Sequence, residues 1–100
     1  MNVLEALVVI EEGWNETLKP LITQGKYLAA YSEITNLSLS LDVQRQEFAT
    51  YHHGIRWMAS VIRLEKALEK NDSAGVAYFM PFFEIHLRQL KLATQVQNTF

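Results

Sequence analysis

Tyr51-His52-His53-Gly54-Ile55-Arg56-Trp57 is the stretch on which the reading of the fold turns. Around it Phe48, Tyr51/His52, Ile55, Met58/Ala59 and Ile62 recur at spacings of three and four, and Trp57, Val61, Leu64 and Leu68 form a second stripe beside the first. Spacing of this kind belongs to a helix. The stretch is expected to lie in the middle of the longest helix, from Asp42 to Lys70. Two stripes imply contact with more than one neighbour. Gly54 costs about 1 kcal/mol against alanine in a helix interior, so its missing side chain is expected to admit close approach of another helix.

The same spacing extends in both directions. Residues 2–24 read as a first helix, with Val3, Leu7, Ile10, Trp14, Leu18 and Leu21 on one face. Pro20 removes a backbone donor and crowds the carbonyl of Glu16, so a kink or restart is expected there, with Thr17 as an N-cap. Gly25 supplies a left-handed stop, and residues 26–40 are expected to form a second helix with the stripe Tyr27, Ala30/Tyr31, Ile34, Leu37, Leu41. Ser40 or Asp42 is expected to cap the third helix, unless the second and third run on as one. Asn71 is expected to end the 42–70 helix in a left-handed conformation, with Asp72 or Ser73 capping a fourth helix over 73–97. In that last helix Val76, Phe79, Phe83, Leu87 and Leu90 keep one face, while Tyr78, Phe82, Ile85, Leu92 and Val96 spill onto adjoining faces. Pro81 is expected to kink it or split off its first turn. The expected fold is all-α: residues 1–100 as one domain, an up-down-up-down four-helix bundle.

Composition bounds the function. Net charge is −2 and no basic run occurs, which argues against nucleic acid. There are no cysteines, so disulfides, thiolate metal sites and cysteine nucleophiles are excluded. The apolar run Val3 to Ile10 is too short to span a bilayer, and no cation precedes it as in a signal peptide. A soluble cytoplasmic protein without membrane association is expected.

Three histidines and eleven acids could in principle hold a metal. The di-iron arrangement of helical bundles is Glu-x-x-His. Here Phe83, Ala49 and Thr50 stand three before His86, His52 and His53. The motif fails at each histidine, and no metal or cofactor is expected. There is no glycine-rich phosphate loop, no serine nucleophile motif and no carboxylate pair in an apolar setting, so no enzymatic activity is expected.

His53-Gly54-Ile55-Arg56 resembles the site of histidine phosphotransfer domains, which are small four-helix bundles with a basic residue three positions after the histidine. That resemblance implies His53 as phospho-acceptor and Arg56 as its basic neighbour. Trp57 stands where those domains carry a small residue.

Apolar material is in excess. Hydrophobic residues make up 49% of a chain that buries only about 60–65% of its unfolded surface. The six consecutive residues Tyr78-Phe79-Met80-Pro81-Phe82-Phe83 cannot all face one core. Trp14, Trp57, Tyr78, Phe79, Phe82 and Phe83 are the candidate interface residues, for a homodimer and for an unidentified protein partner. The chain has the general look of small bacterial helical proteins. It is similar in size and hydrophobic grooves to flagellar-export-chaperone bundles, although no motif carries that similarity. A non-catalytic, dimerising interaction adaptor or regulator is the expected function, with phosphotransfer at His53 as the alternative.

Overall fold

The computed structural model describes residues 2–41 and 44–99. The protein is all-α, with no strand among the described residues. Helix α1 covers Val3–Gly13, and a π-helical turn, Trp14–Leu18, joins it to α2, Lys19–Thr23. Helix α3 is Tyr27–Leu41, α4 is Arg45–Ala49, α5 is His52–Glu69 and α6 is Ser73–Thr99. The longest dimension of the molecule, 43 Å, matches α6, whose 27 residues span about 40 Å.

Local chemistry sets the ends. Asn2 caps α1 by accepting a hydrogen bond from the Glu5 N–H at 2.8 Å. Gly25 takes φ 75° in the turn after α2, and Asn71 takes φ 54° after α5, as expected of both. Asp72 caps α6 by accepting from the Gly75 N–H at 3.0 Å. The cap expected at Ser40 or Asp42 falls on side chains outside the described set.

Of the two effects expected of Pro20, the restart does not occur. The chain neither stops nor restarts at Thr17, and Leu18 precedes α2 in helical geometry with no side-chain cap. Instead the helix widens into the π turn, where the Lys19 N–H bonds to the Trp14 carbonyl. Pro20 has no N–H to offer Glu16, and the wider turn takes up the misfit. One extra residue enters the turn, so the buried face passes from Trp14 and Leu18 to Ile22 rather than to Leu21. Pro81, by contrast, leaves α6 unbroken, and no first turn splits off.

The expected 42–70 helix is two helices. Tyr51 is extended, with φ −104° and ψ 137°, and α5 begins only at His52. Thr50 closes α4 by turning its Oγ1 onto the Glu47 carbonyl at 2.7 Å. The break places the Phe48 backbone carbonyl directly over Gly54, where a Cβ would collide with it. Gly54 therefore does admit a close approach, but by the turn preceding its own helix. The break also changes which stripe is inside. Trp57, Val61, Leu64 and Leu68 are buried, whereas Ile55 and Ile62 are about half exposed, at 55% and 50%. Phe48 no longer continues into Ile55, because Tyr51 interrupts the helical register.

The core has an aromatic spine drawn from four elements. Phe48 meets Trp57 edge-on with ring centroids 5.7 Å apart, and Trp57 meets Phe83 at 5.7 Å. Phe83 stacks on Trp14 at 4.3 Å. Such pairs add about 0.5–1.5 kcal/mol each beyond the area they bury. Leu7, Ile34, Leu64 and Leu90 close around them, all fully buried. The hydroxyls of Ser60 and Thr94 turn back onto their own helices, Ser60 to the Trp57 carbonyl and Thr94 to the Leu90 carbonyl, whereas the buried Thr35 Oγ1 has no hydrogen-bond partner.

Two polar ties fix how the segment from α1 through α2 lies on α6. Glu84 accepts from the Trp14 indole at 3.1 Å and pairs with Lys19 at 2.8 Å, and Lys91 pairs with Glu11 at 2.9 Å. Later positions in α6 meet earlier positions in that segment, so the two run antiparallel. Helices α5 and α6 also form an antiparallel pair, in which Trp57 touches Phe83 and His53 touches His86.

Candidate interaction surface

The six expected interface residues divide sharply. Trp14, Trp57 and Phe83 are 3%, 0% and 0% exposed and belong to the chain's own core, which corrects their assignment to an interface. All three stand on stripes that the core claims first, and each is held by another aromatic ring. Phe79 is half-buried against that core. Tyr78 and Phe82 remain outside, at 63% and 40%.

Helix α6 is apolar on two sides. Val76, Phe83, Leu87, Leu90 and Thr94 face the core. Tyr78, Phe82, Ile85, Gln89, Leu92 and Val96 follow one another at alternating spacings of four and three, and every one of them is exposed. At about 100° per residue, the centre of this second stripe lies roughly 150° around the helix from the first. Ile85, Leu92 and Val96 are 51%, 49% and 57% exposed, and the stripe contains no charged residue. Sequence reasoning placed these residues on scattered adjoining faces. Gln89 hid the pattern, because a polar residue occupies the fourth position of an otherwise apolar run.

Beside this stripe a groove of about 450 Å³ lies between α5 and α6. Tyr78, Phe79, Phe82 and His86 form one wall, and Ile55, Arg56, Ala59 and Arg63 are on the other. No carboxylate lines it. Arg56 and Arg63 are two helical turns apart, about 10 Å, and neither pairs with a carboxylate among the described residues. The sequence signal for Arg63 was its offset of seven from Arg56. A second cleft of about 430 Å³, between the π turn and α3, is lined mainly by apolar groups including Val9, Ile10 and Leu37, with Glu33 its single acid.

The histidines gather at the α5–α6 contact. His53 packs against both His52 and His86, with centroids 5.4 and 5.7 Å apart, and His86 stacks on Phe82 at 6.3 Å. The Nδ1 atoms of His53 and His86 are buried without a hydrogen-bond partner. His86 is held below its ordinary pKa, first by burial and then by the neighbouring His53, Arg56 and His52. No group of three or more histidine and carboxylate side chains suited to a metal exists among the described residues. His53 is half-buried, and Arg56 is exposed at the groove. Trp57, expected to crowd the approach to His53, points wholly into the core.

Glu84 is the single acid of α6. Burial would raise its pKa, but the hydrogen bonds from Lys19 and Trp14, with the charges of Lys19 and Arg88, outweigh that and hold it below the usual 4.5. Its partners lie on the π turn and α2, on the side of α6 away from the groove, which marks it as a structural tie.

No helix among the described residues is long and apolar enough to cross a membrane. Comparison with protein-family models, with curated proteins and with solved structures finds no match to this chain.

Proposed function

We propose that this protein is a non-catalytic cytoplasmic adaptor or regulator, which dimerises and binds a protein partner through the outer face of the α5–α6 hairpin. One observation carries the reading: α6 is apolar on two sides, and the chain covers only one. A monomer gains nothing from leaving Tyr78, Phe82, Ile85, Leu92 and Val96 in water, whereas an interface buries them. The adjoining groove, with one aromatic wall and two guanidiniums that pair with no carboxylate among the described residues, suits a protein partner of acidic surface, because aromatic rings and arginine are the residues that anchor interfaces. On this reading the four long segments, 3–23, 27–41, 52–69 and 73–99, are the legs of an up-down-up-down bundle whose last leg faces outward. The net charge of −2 and the lack of a basic run speak against nucleic acid, and the acidity of α1 against an anionic membrane surface. Sedimentation equilibrium of the full chain at micromolar concentration tests the reading. A dimer is expected, and a monomer that also ignores acidic partner proteins would sink it.

The second reading is phosphotransfer at His53. It is favoured by the burial of Trp57, which leaves the neighbourhood of His53 less crowded than the sequence implies. It is disfavoured by the packing of the His53 ring between His52 and His86. Incubation with acetyl phosphate and receiver proteins tests it through acid-labile label on His53, and no label removes it.

A further inference from the structure

We infer that the partner of the outer α6 stripe is a second copy of this chain, joined in a parallel two-stranded seam about a two-fold axis along α6. The inference rests on the dimerising reading above and specifies its geometry. Tyr78, Phe82, Ile85, Gln89, Leu92 and Val96 alternate by four and three, the spacing with which one helix packs along another in a left-handed pair. A helix that merely exposed stray apolar residues would not keep this spacing through six positions and five turns. The stripe spans 19 residues, roughly 27 Å, and most of the molecule's length is available to a matching helix.

Two features choose a second copy and the parallel direction. In a parallel pair each position meets itself, so Gln89 faces the Gln89 of the other copy. Its amide both donates and accepts, and the two side chains satisfy each other. In the antiparallel register that would pair Tyr78 with Val96 and Phe82 with Leu92, Gln89 would meet Ile85, and its amide would be buried against a methyl group. The second feature is charge. The ionisable residues of α6 that flank the stripe are His86 on one side and Arg88 on the other. An antiparallel pair brings each of these against its own copy, so the two Arg88 guanidiniums meet. A parallel pair places Arg88 near Ala93 of the other copy and keeps the two guanidiniums apart. A single polar residue in an apolar seam fixes register at some cost in stability, and Gln89 is placed to do this. Glu84 and Lys91, which bind the segment from α1 through α2, point away from the seam, so pairing leaves those ties intact.

The chain has no cysteine, which allows a direct test. Ile85→Cys and Leu92→Cys, each alone, are expected to form disulfide-linked dimers under mild oxidation. Glu69→Cys, an exposed position off the stripe, is expected not to. Linkage at Glu69→Cys equal to that at Ile85→Cys, or Phe82→Cys chains linking to Leu92→Cys chains in preference to themselves, overturns the inference. So does failure of both seam variants to link. If the wild type sediments as a dimer and neither variant links, only this geometry falls. If the wild type is a monomer, the dimerising reading falls with it.

Discussion

The indole Nε1–H of Trp14 donates to the carboxylate of Glu84 at 3.1 Å, across seventy residues of sequence. The bond ties the π turn to the middle of α6 and fixes which side of α6 faces inward. Lys19 joins the same carboxylate at 2.8 Å. Because Glu84 has a lowered pKa in the folded chain, the unfolded chain takes up its proton first as pH falls. The stabilisation is therefore complete above the ordinary value of 4.5 and is lost as pH drops through the lowered one. Glu84→Gln is expected to cost about 1 kcal/mol near neutrality and progressively less as pH falls below 4.5. Thermal melts of both proteins across that range check it.

Gly54→Ala is expected to be among the most damaging single-methyl changes in the protein. The added Cβ meets the Phe48 carbonyl, which is backbone and cannot rotate away. A loss of about 2–4 kcal/mol is expected, against the gain of about 1 kcal/mol that this change gives in an open helix. Urea denaturation measures it, and a stabilised variant would show that α4 does not lie over Gly54.

Both effects bear on how much of the fold can be read from residue order. The helical class, the stops at Gly25 and Asn71, the cap at Asp72 and the inner faces of α1 and α6 follow from spacing and turn chemistry that act within a few residues. The break at Tyr51 does not. Periodicity runs straight through Thr50 and Tyr51, and no glycine or proline marks the interruption. It is set by Phe48 joining the aromatic spine at Trp57, a contact between two elements. The same competition decided the interface. Trp14, Trp57 and Phe83 looked like surplus aromatics and proved to belong to the spine, so Tyr78 and Phe82 were the two expected interface residues left exposed.

Trp57 has a buried indole N–H with no acceptor. Trp57→Phe removes that donor along with part of the ring, so the relief of an unpaired polar group offsets part of the lost packing. The expected cost is below about 1.5 kcal/mol, against about 3–5 kcal/mol for Trp57→Ala. Denaturant midpoints of the two variants separate the contributions.

His86 predicts a second pH effect, at higher pH than that of Glu84. Its pKa lies below 6.5 in the folded chain through burial and the nearby His53, Arg56 and His52. The unfolded chain therefore binds the proton more readily, and stability declines as pH falls below about 6.5. His86→Gln is expected to flatten that part of the profile. An unchanged profile in the variant would mean that the imidazole is not held neutral at the α5–α6 contact.

The claim that most needs testing is that the outer stripe of α6 holds two chains together. Sedimentation equilibrium of the wild type and of Ile85→Lys, at equal concentration and with helicity checked by circular dichroism, tests it most directly. The account predicts a wild-type mass of two 11.5 kDa chains and a folded single chain for the variant, because a lysine at 51% exposure disturbs nothing in the monomer. A wild type that sediments as one chain, or a variant that remains fully dimeric, would contradict it.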